Sequence, residues 1–230
     1  MKLSIIVPAY NEEKTIIALL DKVFAVHFGD GVEREVIVVN DGSKDRTPEL
    51  LKAYQNPIRV LTHEQNKGKG SAIQTGIKEA RGEYVMIQDA DLEYNPQDIR
   101  ILLDTALVHN AKAVFGSRRL SVADTVNPHG KWFYYAGGVL LTTIANILYG
   151  THITDEPTCY KLIERKLLLD LHIESKRFEF CPEVTAKIGK RKIPIFEVPI
   201  HYNPRTAKEG KKIKLRDGIE AIWTLIKYRF

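Results

Sequence analysis

What most constrains this chain is a rhythm. Short apolar runs, each stopped by glycine, asparagine or aspartate, alternate with stretches whose apolar residues recur at helical spacing. Residues 3–7, 36–39, 58–61, 84–88 and 113–115 read as strands. Between them, Ile16, Leu19, Leu20, Val23 and Phe24 mark a helix over 12–26. Thr47-Pro48 opens a second, to about residue 54, with Thr47 as N-cap, and a third covers 69–80. Asn95-Pro96 starts a fourth, running to about residue 109, with Asn95 as N-cap and Pro96 at the first helical position. Such βαβα alternation predicts an α/β fold, a mixed but mainly parallel sheet with helices on both faces. The second half is less regular: a strongly apolar stretch at 132–149, helical patterns near 164–171 and 182–189, a strand at 193–202, a basic loop at 205–212 and an amphipathic helix at 215–228. No linker divides the 230 residues, so one domain is expected.

In an open α/β sheet, ligands bind beyond the carboxyl ends of the strands. There this sequence places Pro8-Ala9-Tyr10-Asn11-Glu12, Asp41-Gly42-Ser43, Asp89-Ala90-Asp91 and Gly116-Ser117-Arg118-Arg119. Carboxylates at alternate positions suit a hard divalent cation that shares its shell with substrate phosphates. Taken alone, Asp89 and Asp91 are equally a solvated or capping pair, and Asp41-Gly42 a plain turn. Four polar strand ends on one rim favour a nucleotide crevice with a metal. Asn66-Lys67-Gly68-Lys69-Gly70 lacks the spacing of an NTPase phosphate loop and the third glycine of a dinucleotide fingerprint. It reads either as a simple loop before a helix or as backbone that approaches phosphate oxygens at a helix N-terminus.

A net charge of +5 and a pI near 9.0 favour an anionic partner. The basic residues are interspersed with acidic ones and form no nucleic-acid motif, so no nucleic acid is expected. Cys159 and Cys181 have neither CxxC nor zinc spacing, and two lone thiols fit a reducing cytosol. The first eight residues are too short a run for a signal peptide. The 132–149 stretch, rich in glycine and hydroxyl groups, reads as a core helix or as one lying in a membrane interface, not as a span.

Four segments in this order and spacing carry a resemblance: Ser4-Ile5-Ile6-Val7-Pro8-Ala9-Tyr10-Asn11-Glu12-Glu13, Val39-Asn40-Asp41-Gly42-Ser43-Lys44-Asp45, Asn66-Lys67-Gly68-Lys69-Gly70 and Asp89-Ala90-Asp91-Leu92-Glu93. They resemble the family 2 glycosyltransferases of the GT-A, Rossmann-like fold. The likeness is closest to the polyprenyl-phosphate branch, the dolichyl-phosphate mannose (hexose) synthases. It extends through Gly116-Ser117-Arg118, Thr154-Asp155-Glu156-Pro157-Thr158-Cys159-Tyr160-Lys161 and Tyr202-Asn203-Pro204-Arg205-Thr206 with Glu209-Gly210-Lys211-Lys212, nearly the whole chain.

The resemblance implies an inverting transfer of a hexose from GDP-mannose or UDP-glucose to a polyprenyl phosphate. Residues 1–118 would form the nucleotide-sugar half and 119–230 the acceptor half. Pro8, Ala9, Tyr10, Glu12, Asp41, Lys69 and Ala90 would line the nucleotide sugar, with Asp41 reaching the base. Asp89, Asp91 and Glu93 would hold Mg²⁺ or Mn²⁺. Arg118, Arg205 and Lys211 would meet anionic oxygens of donor or acceptor. Glu93 stands where the mannose synthases usually carry glutamine, and Cys159-Tyr160-Lys161 replaces their Ser-Gly-Phe. The sequence stops at Phe230 without the membrane helices that follow in some members. The 132–149 stretch and the C-terminal helix, with Trp223, Ile226, Lys227, Tyr228 and Arg229, lead to the expectation of a peripheral, cytoplasmic place on the inner face of the cell membrane.

A phosphate acceptor is already ionised and requires no general base. A hydroxyl acceptor, the alternative, requires a carboxylate base, for which Asp155, Glu179 and Glu183 are the candidates. A non-catalytic basic domain that binds nucleotide or nucleic acid is the remaining alternative.

Overall fold

A computed structural model describes residues 1–120, 132–205 and 215–230. At its centre lies β1 (Lys2–Ala9), whose alternating side chains enter two cores. Leu3, Ile5 and Val7 face one side of the sheet and Ile6 the other. β2 (Glu33–Asn40) and β4 (Tyr84–Ile87) flank β1 in parallel, and β3 (Ile58–Thr62) extends the sheet beyond β2. The sheet has seven strands in the order β3-β2-β1-β4-β6-β5-β7. β5 (Ala113–Ser117) and β7 (Phe196–Pro199) pair in parallel.

β6 (Lys161–Glu164) enters between β4 and β5 and runs antiparallel to both. The sequence pattern missed this strand because it opens on a lysine. Lys161 is nonetheless fully buried, with Nζ donating to the Glu156 carbonyl at 2.8 Å and lying 3.8 Å from the Phe115 ring centroid.

Helices cover both faces, as the pattern predicts. On one side lie α1 (Ile16–Phe24), α2 (Thr47–Ala53) and α4 (Ile99–His109), with Leu19, Leu20, Val23, Leu102 and Leu103 in the core. On the other are α3 (Lys69–Glu79), α6 (Arg165–Asp170) and α7 (Phe180–Lys190). The helix expected from residue 12 begins at Ile16, since residues 12–15 form a turn in which Thr15 and Ile16 donate to the Glu12 carbonyl. Thr47 is not the N-cap of α2. Its hydroxyl accepts from the Glu12 amide at 2.9 Å, while Asp45 accepts from the Thr47 amide at 3.0 Å. Asn95 does cap, accepting from Gln97, but a 3₁₀ turn (Pro96–Asp98) precedes α4. The strand expected over 193–202 narrows to β7.

The apolar stretch forms α5 (Trp132–Tyr149), which packs with α7 and α8 (Leu215–Lys227) through Leu141, Ala145, Ala186, Ala221 and Leu225. Among the described residues, no helix is long and apolar enough to cross a membrane.

Candidate active site

The ends of β1 and β2 are knitted together. Asn11 donates its amide to the Ser43 hydroxyl at 3.0 Å and accepts from the Lys44 amide at 2.8 Å. Asn11 holds a left-handed φ of 53°, and Asp41 donates its amide to the Ala9 carbonyl. Pro8 and Tyr10 remain half-buried on this rim, with Ala9 beneath them.

Asp41 is not on the open rim, where a contact with a base would need it. It is 2% exposed, and its oxygens accept from the Lys67 amide (2.9 Å) and the Gly68 amide (2.8 Å) and meet His63 Nδ1 (2.6 Å). It anchors the 66–70 loop. The phosphate-cradle reading of that loop fails for a related reason. Gly70 and Ser71, opening α3, donate to the Arg177 and Lys176 carbonyls, so these amides are already satisfied. Gly68 has φ +98°, and a Cβ there would strike the Lys176 carbonyl, as one on Gly70 would strike that of Ser175. What the loop presents is Lys69, whose Nζ lies 2.5 Å from Asp89 Oδ1 and 3.0 Å from Cys159 Sγ.

Beyond β4, Asp89 is buried and Asp91 part-buried. Arg205 gathers the acids from both sides: Nη2 is 2.9 Å from Asp91 Oδ2, Nη1 3.5 Å from Glu12 Oε2, and Nε 3.5 Å from Glu93 Oε1. Burial first, then the nearby charges of Asp89 and Glu93, push Asp91 up to about 7 against the opposing pull of Arg205. The acidic group is thus short of positive charge, and its all-oxygen donors suit Mg²⁺ or Mn²⁺.

Asp89, Asp91 and Glu93 do not make a three-residue cage, however. Leu92 turns the chain with φ 62°, and Glu93 instead accepts from the Tyr202 hydroxyl at 2.6 Å and the Arg205 amide at 3.0 Å. Among the described residues, no three His, Cys, Asp or Glu side chains gather as a ready-made metal site. Two carboxylates completed by substrate phosphates is the arrangement Mg²⁺ commonly takes.

Arg118, after β5, grips Asp155 with two parallel bonds of 2.7 and 2.8 Å, and its guanidinium lies 4.9 Å from the Tyr202 ring centroid. Burial raises the Asp155 carboxyl, but Arg118 outweighs it and holds the group below the ordinary carboxylate range. Among the other candidate bases, Glu183 is fully buried and accepts from the amides of Glu174 and Ser175. Glu179 accepts from the Lys176 and Arg177 amides through Oε1, and its Oε2 is buried. Lys211 and most of the basic loop lie outside the described residues.

Residues that carried no expected role in the site also belong here. His63 follows β3 as the other groups follow their strands, and it bridges Asp41 to the Thr75 hydroxyl (2.9 Å). The position after β3 was its available signal. Tyr160 stacks on Tyr94 at 4.9 Å and donates to Gln88 Oε1 at 2.7 Å, fixing the floor beside β4.

Comparison with known proteins places the chain in a family and a fold. A dolichyl-phosphate beta-glucosyltransferase of Trichomonas vaginalis is 34% identical over 218 residues, covering 86% of this chain, which spans only 63% of that relative. A UDP-N-acetylglucosamine–dolichyl-phosphate N-acetylglucosaminyltransferase of Methanococcus voltae is 30% identical over 245 residues, covering 96% of this chain and 94% of its own. Among solved structures, glucosyl-3-phosphoglycerate synthase of Mycobacterium tuberculosis, crystallised with Mn²⁺, UDP and phosphoglyceric acid, superposes with a TM-score of 0.75 at 21% identity. That likeness covers 99% of this chain and 78% of that one, and it places the fold among GT-A glycosyltransferases. Residues 4–171 match the sequence model of glycosyl transferase family 2, and the chain belongs to that family.

Proposed function

We propose that the chain transfers a hexose, with inversion, from a nucleoside diphosphate sugar to the phosphate of a polyprenyl phosphate. The relatives named for dolichyl phosphate support this acceptor. The observation that carries the reading is the acidic pair after β4, crowded enough to hold Asp91 near 7 and faced by Lys69 and Arg205.

Asp89 and Asp91 would hold Mg²⁺ or Mn²⁺, which when bound neutralises charge gathering on a leaving diphosphate. Pro8, Ala9, Tyr10 and Glu12 line the nucleoside side, and Asp41 acts through the loop it anchors. Lys69 and Arg205 would shift from carboxylate toward phosphate oxygens as the donor enters. Arg118, held rigid by Asp155, offers its remaining edge to an anionic acceptor, with Lys211 assigned the same task. An ionised acceptor phosphate also suits a site whose candidate bases are all engaged or buried.

The acceptor's lipid tail gives the apolar faces of α5 and α8 a purpose. Tyr135, Val139, Leu140 and Ile147 are exposed on α5, as are Ile219, Trp223 and Ile226 on α8 with Phe230 just beyond it. On α8 these recur at intervals that share one helical face. We assign this face to the membrane interface, on the cytoplasmic side.

The test is transfer of radiolabelled sugar from GDP-mannose or UDP-glucose into an organic-extractable lipid phosphate. Label in that phase with Mn²⁺ or Mg²⁺, and none with EDTA, is expected. Label appearing only on a hydroxyl acceptor would refute the assignment.

A further inference from the structure

We propose that Cys159 and Cys181 form a reversible disulfide that turns the site off. The two sulfurs are 3.8 Å apart although their residues are 22 positions apart in the chain. Cys159 is half-buried just before β6, and Cys181 is 7% exposed in the first turn of α7. With Lys69, Arg177 and Phe178 they line a small cavity, and Lys69 connects it to Asp89. A disulfide requires the sulfurs to close from 3.8 Å to about 2.05 Å.

The contact with Cys159 lowers the Cys181 thiol from its ordinary range; burial opposes this, and the Lys161 and Lys69 ammonium groups assist. Hydrogen peroxide is the oxidant. The Cys181 thiolate attacks the O–O bond, becoming a sulfenic acid and releasing hydroxide, which takes up a proton. The Cys159 sulfur then displaces hydroxide from the sulfenic sulfur, and its own proton completes the second water. Two thiols and one peroxide give one disulfide and two waters.

The consequence passes through Lys69. Its ammonium is shared between Cys159 Sγ at 3.0 Å and Asp89 Oδ1 at 2.5 Å. Drawing Cys159 toward Cys181 removes the sulfur partner and leaves Lys69 held by Asp89 alone. A cation would then have to displace it from a tighter pair. This coupling rests on the proposed role of Asp89, whereas the disulfide itself does not.

The full chain is exposed briefly to peroxide, denatured, treated with iodoacetamide and mapped by mass spectrometry. Wild type should lose two hydrogen atoms, resist alkylation at both positions and yield a 159–181 cross-linked peptide. Mn²⁺-dependent affinity for UDP or GDP should fall by about tenfold or more, and dithiothreitol should reverse both changes. Cys181→Ser should bind nucleotide normally before and after the same exposure. Two freely alkylated thiols in treated wild type would overturn the disulfide. A cross-link that leaves nucleotide affinity intact would overturn the switch. If untreated protein binds no nucleotide, the functional reading fails while the mapping arm still decides the disulfide.

Discussion

At Asp91 the fold holds a carboxylate beside Asp89 and Glu93 with Arg205 against it, and burial with those neighbours raises it to about 7. Between the ordinary aspartate value of about 4 and this value, the folded state binds the proton more tightly than the unfolded chain. Stability of the cation-free protein should therefore fall, on this group's account, as pH rises from about 4 to about 7. Asp91→Asn removes the penalty, and at pH 8 without metal it should raise stability by roughly 1–3 kcal/mol while abolishing transfer. Urea melts with and without Mn²⁺ check the first part and the lipid-extraction assay the second. Gly68→Ala places a Cβ against the Lys176 carbonyl at φ +98° and should cost about 2 kcal/mol, read from the same melts. The acidic pair was legible in the sequence because it ends an apolar run. The task of Asp41 was not, since its partners His63, Lys67 and Gly68 reach it from 22 to 27 residues away.

Among the elements, the parallel strands and their helices were legible because periodicity is a local property. β6 was not, because its opening lysine is buried by Glu156 and Phe115, contacts that no local pattern announces. Glu93 was misplaced for a similar reason: the turn at Leu92 hands it to Tyr202 and Arg205, far along the chain. The core reading of α5 holds on one side, packed with α7 and α8, while its other side is exposed. Trp223 is 62% exposed on α8, so Trp223→Glu should leave stability within about 0.5 kcal/mol of wild type. The same change should reduce flotation with anionic liposomes carrying polyprenyl phosphate. Flotation equal to wild type would remove α8 from the membrane face.

Taken whole, the chain closes one sheet from both of its halves. Residue 118 does not divide the fold, because β6 supplies the partner between β4 and β5, and β7 the other partner of β5. Residues 1–118 expressed alone would leave the buried strand β5 with no neighbour to pair with. That fragment should be insoluble or lack a cooperative melt, which circular dichroism of the refolded fragment tests. The interleaving has a consequence during synthesis. As the chain leaves the ribosome, the outer edge of β4 stays open until Lys161–Glu164 has emerged, so any holdase that shields nascent sheet edges should engage ribosomes stalled at about residue 130 more than those that have released the finished chain.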